Sequence, residues 1–112
     1  MYPSGEWRGY WDQEVWGRQP MGPLQLRFRS GKIEGEGRDI IGRFTFEGDY
    51  DDQGTIRLVK HYLGRHQVFY RGVYDGEGTI FGEWQIPPLW SGSFALAPVA
   101  NKAPADLPIE DL

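Results

Sequence analysis

The feature that most constrains the fold of this chain is a short pattern that occurs twice. The pattern G-x-Y-D-x-x-G-T-I spans residues 48–56 and again residues 72–80. Asp and Gly favour tight turns, whereas Thr and Ile favour strands, so each copy predicts a strand end, a turn and the start of the next strand. A second pattern, I-x-G-x-aromatic, occurs at residues 40–44 and 80–84. Together the repeats predict a meander of β-hairpins that connect nearest neighbours.

Alternation of apolar and polar residues predicts strands in the rest of the chain. Residues 24–29 and 92–96 carry their apolar side chains on even positions, and no window shows an apolar repeat at helical spacing. Gly and Pro at positions 17, 20, 22 and 23 predict a long loop over residues 12–23. We expect eight strands, at about residues 6–12, 24–30, 32–38, 40–48, 55–62, 66–74, 79–86 and 92–97.

The predicted fold class is all-β, an eight-stranded antiparallel up-and-down meander barrel with a short irregular C-terminal tail. Closing such a meander removes its unpaired edges. The chain of 112 residues is long enough for one core. We therefore expect a single barrel domain over residues 1–97. Residues 98–112, rich in Pro, Ala and acidic residues, are expected to form a flexible tail.

Charge and composition exclude several classes of function. The net charge is −4 and the basic residues are scattered singly, whereas a nucleic-acid surface needs clustered basic residues. There is no cysteine, which excludes disulfides and thiolate sites. The chain shows no signal-peptide pattern and no apolar run of membrane-spanning length. We expect a cytoplasmic protein whose partners include neither nucleic acid nor membrane.

Candidate binding residues concentrate in residues 59–84, where three predicted strands follow one another. One face of these strands carries Lys60, Tyr62, His66, Tyr70 and Trp84. Lys60 is in register with the apolar positions 56 and 58, which points its side chain inward. Two interpretations remain open for this lysine. It reaches the barrel rim with its ammonium group, or it is a counter-charge for an anionic or carbonyl-bearing ligand.

The order of landmarks resembles the avidin and streptavidin family within the lipocalin-like (calycin) barrels. The landmarks are an opening G-x-W at residues 5–7, G-x-I-x-G at residues 31–35, a V-F-x-x-G segment at residues 68–72 and a late Trp84. The resemblance implies a ligand pocket inside the barrel. In it, Trp84 corresponds to a tryptophan that stacks on biotin, Tyr70 to an aromatic wall and Trp7 to the opening tryptophan. Gly9 and Gly37 stand where the family has the Asn and Tyr that bind the biotin ureido oxygen, so tight biotin binding is not implied.

Patterns for metal binding and catalysis are incomplete in this sequence. His61 and His66 differ in strand parity and have no evident third ligand. A calcium loop starting at Asp49 would need an acid at its twelfth position, where Lys60 stands. Residues Glu34, Glu36 and Glu83 share parity with outward positions, which argues against a buried catalytic pair. We therefore expect no metal, no cofactor and no catalytic residues.

The leading hypothesis is a non-enzymatic barrel that binds a small molecule in its interior. Its ligand-binding residues would be Trp7, Lys60, Tyr62, His66, Tyr70 and Trp84. The alternative is a filled barrel that acts as a protein-interaction or assembly module, with possible homo-oligomers. Its interface residues would be Trp16 and Trp90, which stand in predicted loops, together with the acidic tail. A hydrolase or isomerase is the third hypothesis, and it needs a carboxylate or histidine with a shifted pKa inside the barrel.

Overall fold

The computed structural model describes residues 2–99, which form eight antiparallel strands in a closed barrel. Each strand pairs with the next in sequence, and β1 pairs with β8 to close the barrel. The strands are β1 (Gly5–Gln13), β2 (Gly17–Arg29), β3 (Lys32–Asp39), β4 (Arg43–Tyr50), β5 (Thr55–Tyr62), β6 (Gln67–Tyr74), β7 (Ile80–Ile86) and β8 (Trp90–Pro98). The predicted all-β meander barrel is confirmed. The architecture is consistent with a calycin-like fold in general.

Strand alternation determines which side chains fill the interior. In β5, Ile56, Leu58, Lys60 and Tyr62 are buried, and the residues between them face outward. The inward direction predicted for Lys60 is therefore confirmed. On other strands Glu34, Glu36 and Glu83 are exposed, as their parity predicted. The interior consists mainly of apolar and aromatic side chains, with one charged lysine among the buried residues described.

The predicted loop over residues 12–23 is wrong. The turn between β1 and β2 is short, at residues 14–16, and β2 already begins at Gly17. Residues 17–20 pair with β1 alone, since the pairing of β2 with β3 starts at Met21 opposite Asp39. A strand paired on one side tolerates proline, because not every N–H needs a ladder partner. A register shift between Met21 and Leu24 accommodates the remaining Gly and Pro.

The boundaries of other strands differ from those predicted by one to three residues, most clearly in β4 and β8. β4 begins at Arg43 rather than at residue 40, because Asp39 and Gly42 exchange backbone hydrogen bonds in a tight turn (3.0 and 3.1 Å). β8 begins at Trp90 and continues to Pro98, which pairs with Trp7. The predicted tail therefore starts inside a strand, and its residues 100–112 lie outside the described residues.

The two ends of the barrel differ. At one end, which we call the closed end, Tyr2 packs against three other rings, with centroid distances of 4.9 Å to Phe28, 5.2 Å to Tyr50 and 4.9 Å to Tyr74. At the other end, which we call the mouth, the turns at residues 14–16, 40–42, 63–66 and 87–89 surround an opening. Because the rings around Tyr2 fill the closed end, the interior is open to solvent at the mouth.

Candidate functional site

A cavity of about 410 Å³ opens at the mouth of the barrel. Its walls are mainly aromatic and aliphatic, and its few polar side chains are a glutamine, an arginine, a histidine and two tyrosines. The lining residues are Trp11, Gln13, Trp16, Ile40, Ile41, Tyr62, Arg65, His66, Val68, Tyr70, Trp84, Ile86 and Trp90. A concave, largely apolar space with a few polar groups is the usual form of a small-molecule site.

Two tryptophans are held in place in the wall of the cavity. Trp84 donates its indole N–H to the backbone oxygen of Asp12 (2.8 Å), which ties β7 to the end of β1. Trp11 packs edge-on against Trp84, with centroids 6.2 Å apart, and at a tilt against Trp16 at 6.1 Å. These contacts fix the ring planes before any ligand enters, which lowers the entropic cost of binding.

A buried ion pair lies beneath the cavity. The Lys60 ammonium donates to Asp39 Oδ2 at 2.6 Å, and both side chains are fully buried. The ammonium also lies 4.3 Å from the centre of the Phe44 ring and 3.3 Å from the Tyr70 hydroxyl. Removing two charges from water is costly unless both are paired and hydrogen-bonded, and this arrangement meets that condition. Lys60 therefore does not reach the rim, and that interpretation is wrong.

Asp39 is the centre of this polar cluster. Its Oδ2 accepts hydrogen bonds from Lys60, from the Tyr62 hydroxyl (2.6 Å) and from the Trp11 indole N–H (3.2 Å). Its Oδ1 accepts the backbone N–H of Ile41 (3.0 Å), which shapes the turn after β3. One carboxylate thus joins β1, β3 and β5 and also positions a turn at the mouth.

The protonation states of the cluster follow from its burial. Burial lowers the pKa of Lys60 from 10.5 to about 8, although the Asp39 charge acts in the opposite direction. Burial raises the pKa of Tyr62, and the hydrogen bond to Asp39 raises it further. The pKa of Tyr70 is also raised, first by burial and then by the Asp39 charge. Both tyrosines therefore remain neutral hydroxyl donors at neutral pH.

Two donors of this cluster are directed to a weak acceptor, the thioether sulphur of Met21: one from the Lys60 ammonium (3.3 Å) and the Tyr70 hydroxyl, which also lines the cavity. The Tyr70 hydroxyl accepts a hydrogen bond from Lys60, and its own proton points to the thioether sulphur of Met21 at 3.7 Å. A thioether is a weak acceptor. A ligand oxygen or nitrogen that reached this hydroxyl would gain a stronger hydrogen bond than the one it displaced.

The predicted ligand-binding residues fall in three places. Tyr62, His66, Tyr70 and Trp84 line the cavity, and Lys60 lies below it. Trp7 lies outside the lining, in the core towards the closed end, where its indole N–H donates to the Pro3 oxygen (2.8 Å). This separation arises because Trp7 is near the start of β1, whereas the mouth is formed by the end of that strand.

The two predicted interface residues also line the cavity. Trp16 belongs to the turn between β1 and β2, and Trp90 is the first residue of β8. Their side chains are 54% and 55% exposed, so each contributes to both the cavity wall and the outer surface. The structure thus brings residues of the two competing hypotheses together at one end of the barrel.

Sequence reasoning missed Asp39 and Trp11 as members of this site. The strand predicted at residues 32–38 ended one residue before Asp39. Ile33 is an inward residue of β3, and extending its odd-numbered parity would have directed Asp39 into the interior. The need of an inward Lys60 for a counter-charge was a second signal for the same residue.

Neither glycine aligned with the biotin-binding positions has room for a larger side chain. A Cβ atom at Gly37 would lie 2.6 Å from Leu24 Cβ and 3.0 Å from Phe44 Cζ. A Cβ at Gly9 would overlap the backbone oxygen of Ala95. The interior is therefore built differently from a biotin site at these two positions.

His61 and His66 differ in their contacts as well as in strand parity. The His61 ring contacts Gln67 (3.0 Å) and Glu47 (3.5 Å) on the outer surface, whereas His66 is at the mouth beside Tyr62, with ring centroids 5.1 Å apart. Within residues 2–99, no three His, Cys, Asp or Glu side chains form a group suited to holding a metal ion.

Comparison with protein-family models and with curated proteins identified no relative of this chain. No protein-family model matches the chain, and no curated protein matches it significantly. Over the described range, no helix has the length and apolar character needed to cross a bilayer.

Proposed function

We propose that this protein is a non-enzymatic carrier or sensor that binds one small molecule in the cavity at the mouth of the barrel. The observation that carries the proposal is the cavity itself, about 410 Å³ in volume and walled by pre-oriented aromatic rings. Its volume lies within the range of about 300–1,000 Å³ that is typical of small-molecule sites.

The lining favours a compact, mostly apolar ligand with one hydrogen-bond acceptor. Trp11, Trp84 and Trp90 offer flat apolar surfaces, which suit an aromatic or polyene body. At the floor, the Tyr70 hydroxyl can donate to a carbonyl or ether oxygen of the ligand.

The chemistry of the lining supports binding rather than catalysis. Among the described residues that line the cavity there is no Asp or Glu. The carboxylate at the floor of the cavity, Asp39, has a fully buried side chain and accepts four hydrogen bonds, so it has little capacity to take a proton from a substrate. The lysine at the floor is held by the same carboxylate.

Native mass spectrometry of the gently purified full chain tests this proposal. We expect an adduct that disappears on denaturation and whose mass identifies the ligand. Val68→Phe places a larger side chain into the cavity and should abolish the adduct, since Val68 is buried in its lining. Val73→Phe is the matched control, because Val73 lies on the same strand but is 44% exposed on the outer face. Equal adduct occupancy in the two variants would refute a ligand in this cavity.

The assembly-module alternative is favoured by one observation, the exposure of Trp16 and Trp90 at the mouth. Exposed tryptophans are common anchors at protein interfaces. Sedimentation velocity of the wild-type chain and of Trp90→Ala tests this alternative. A partner-free oligomer that dissociates in the variant would favour it over ligand binding.

A further inference from the structure

The large apolar side chains that are exposed on this barrel are concentrated at one end. Six of the nine large exposed apolar residues described belong to or adjoin the turns of the mouth. They are Val15 (82%), Trp16 (54%), Ile40 (66%), Leu63 (58%), Leu89 (82%) and Trp90 (55%). Each of the four mouth turns contributes at least one of them, so they form a ring around the cavity opening. We call these six residues the apolar ring.

The turns of the closed end have the opposite character. Residues 30–31 are Ser and Gly, and residues 51–54 and 75–79 contain four acidic residues and no large apolar one. Both sets of turns connect the same strands and face the same solvent. Turn chemistry therefore does not require Leu or Trp at the mouth. A concentration of exposed apolar side chains at one end of a barrel indicates a contact surface.

Positive charge accompanies the apolar ring. Arg38 and Arg43 pair in register beside the turn at residues 40–42, and Arg65 is in the next mouth turn. All three are exposed, and no ion pair among the described residues involves them. The mouth turns also carry one exposed acid, Glu14. The closed end has a basic register pair of its own, Arg29 and Lys32, but its turns carry four exposed acids, Asp51, Asp52, Asp75 and Glu77. The barrel is thus polarised, with its basic side around the apolar ring.

We propose that the apolar ring docks this protein on the surface of a bilayer that contains anionic lipid. Trp side chains favour the headgroup level of a membrane, and Leu and Val side chains at a loop tip enter the acyl boundary. The arginines just behind the ring would lie at the depth of the lipid phosphates, where anionic headgroups attract them. The three arginines outnumber the one exposed acid of the mouth turns, Glu14, so charge complementarity favours an anionic lipid surface over a second copy of the chain, whose mouth carries the same excess of positive charge.

Docking in this orientation would open the cavity directly towards the membrane. A ligand with an apolar body could then pass between the acyl region and the cavity without crossing water. The docking proposal depends on the ring and the arginines and not on an occupied cavity, so it stands independently of the proposed function. It revises the expectation of no membrane partner, which rested on the lack of a spanning segment.

Vesicle co-sedimentation of the full chain is the direct test. The probes are vesicles of phosphatidylcholine alone and vesicles of phosphatidylcholine with phosphatidylglycerol. We expect binding to the anionic vesicles, weakened by added salt because screening shortens the reach of the arginines. The double variant Leu63→Ser/Leu89→Ser should bind roughly tenfold or more weakly, since it removes exposed leucines from two different turns of the ring.

A matched control tests whether vesicle binding needs the apolar ring or only exposed apolar side chains anywhere on the barrel. Val73→Ser/Phe81→Ser also removes two exposed apolar side chains, 44% and 47% exposed, but from the outer face of β6 and β7. This control should bind anionic vesicles as the wild type does. Val68→Phe, which fills the cavity, should also bind as the wild type, so failure of the ligand proposal and failure of the docking proposal are distinguishable.

Tryptophan fluorescence gives a second readout of orientation. Trp7, Trp11 and Trp84 are buried, whereas Trp16 and Trp90 are about half exposed. A blue shift on adding anionic vesicles should therefore disappear in Trp16→Phe/Trp90→Phe. The proposal is overturned by wild-type protein that does not bind anionic vesicles at low salt, or by equal losses in the ring variant and the outer-face control. It is also overturned by a vesicle-free dimer that Leu63→Ser/Leu89→Ser dissociates, which would assign the ring to a second copy.

Discussion

Removing one partner of the buried Lys60–Asp39 pair is the perturbation whose effect the structure specifies best. In Lys60→Met the Asp39 carboxylate keeps the hydrogen bonds from Trp11, Tyr62 and the Ile41 N–H but loses its counter-charge in a fully buried site. Breaking a buried ion pair from one side costs about 3–5 kcal/mol. That is a large part of the total of about 5–15 kcal/mol expected for a domain. We therefore expect a marginally stable barrel.

Asp39→Asn should cost a similar amount for a different reason. The ammonium of Lys60 remains buried, and the single amide oxygen cannot serve both the Ile41 N–H on one side and the donors on the other. In the double variant neither charge remains, so its cost should be smaller than the sum of the two single costs by about 3 kcal/mol. Urea unfolding followed by circular dichroism measures all three differences.

An exposed pair on the same barrel provides the control. Arg27 and Glu36 are 2.8 Å apart, but each side chain is 51% exposed. The cycle Arg27→Met with Glu36→Gln should give a coupling of about 0–1 kcal/mol, because solvent screens this pair. If the Lys60–Asp39 cycle gave a coupling as small as the exposed one, the burial argument for the floor of the cavity would be refuted.

Three further predictions concern pH, the closed end and strand packing. Because burial lowers the pKa of Lys60 to about 8 in the folded state, the unfolded chain binds more protons above that pH, so the free energy of unfolding should rise by about 1 kcal/mol between about pH 8 and 9. This range lies below the pH at which Tyr2, Tyr62 and Tyr70, whose pKa values are raised, act in the opposite direction. The neutral amine of Lys60 can still donate a hydrogen bond to Asp39, whereas the methionine of Lys60→Met cannot. Urea titrations across this pH range should show a rising free energy of unfolding in the wild type and no such rise in Lys60→Met. If the free energy of unfolding fell in both proteins, the prediction would be wrong. The Tyr2 hydroxyl is buried without a partner among the described residues, so Tyr2→Phe should stabilise the barrel by about 1 kcal/mol, whereas Tyr2→Ala should destabilise it by about 3–5 kcal/mol in thermal unfolding. A Cβ at Gly48 would overlap the backbone oxygen of Arg57, so Gly48→Ala should cost about 1–3 kcal/mol or more in urea unfolding, while the exposed Thr45→Ala on the same strand should cost under about 1 kcal/mol.

The fold class could be predicted from the sequence because the hairpins with the repeated pattern carry a local turn signal. Asp51 and Asp75, which occupy the same place in the repeated pattern, each accept two backbone N–H groups of their own turn. Strand parity then decided which side chains entered the interior. The β1–β2 hairpin was mispredicted because its strand has proline and glycine in it, and the one-sided pairing that tolerates them is a property of the closed barrel.

The candidate site was harder to predict from the sequence than the fold, because its position depends on which end of the barrel is open. Trp7 and Trp84 have the same inward parity in their strands, yet only Trp84 is near the mouth. The depth of a side chain along the barrel axis depends on strand ends, which are the least certain part of a strand prediction. The same uncertainty at the end of β3 is the reason why Asp39 was not predicted as a site residue, since it lies one residue beyond the predicted strand.

The buried ion pair lies between the cavity at the mouth and the packed rings of the closed end. At the closed end, Phe28 and Tyr74 pack against Tyr2. A replacement of the pair by apolar residues would be neutral or stabilising in many proteins, so stability alone does not account for it. In this barrel the pair fixes Tyr62 and Trp11 in the cavity and the turn at Ile41 on its rim through one carboxylate. A floor that is held by directional hydrogen bonds keeps its shape when the space above it is empty, which is what the proposed ligand site would require.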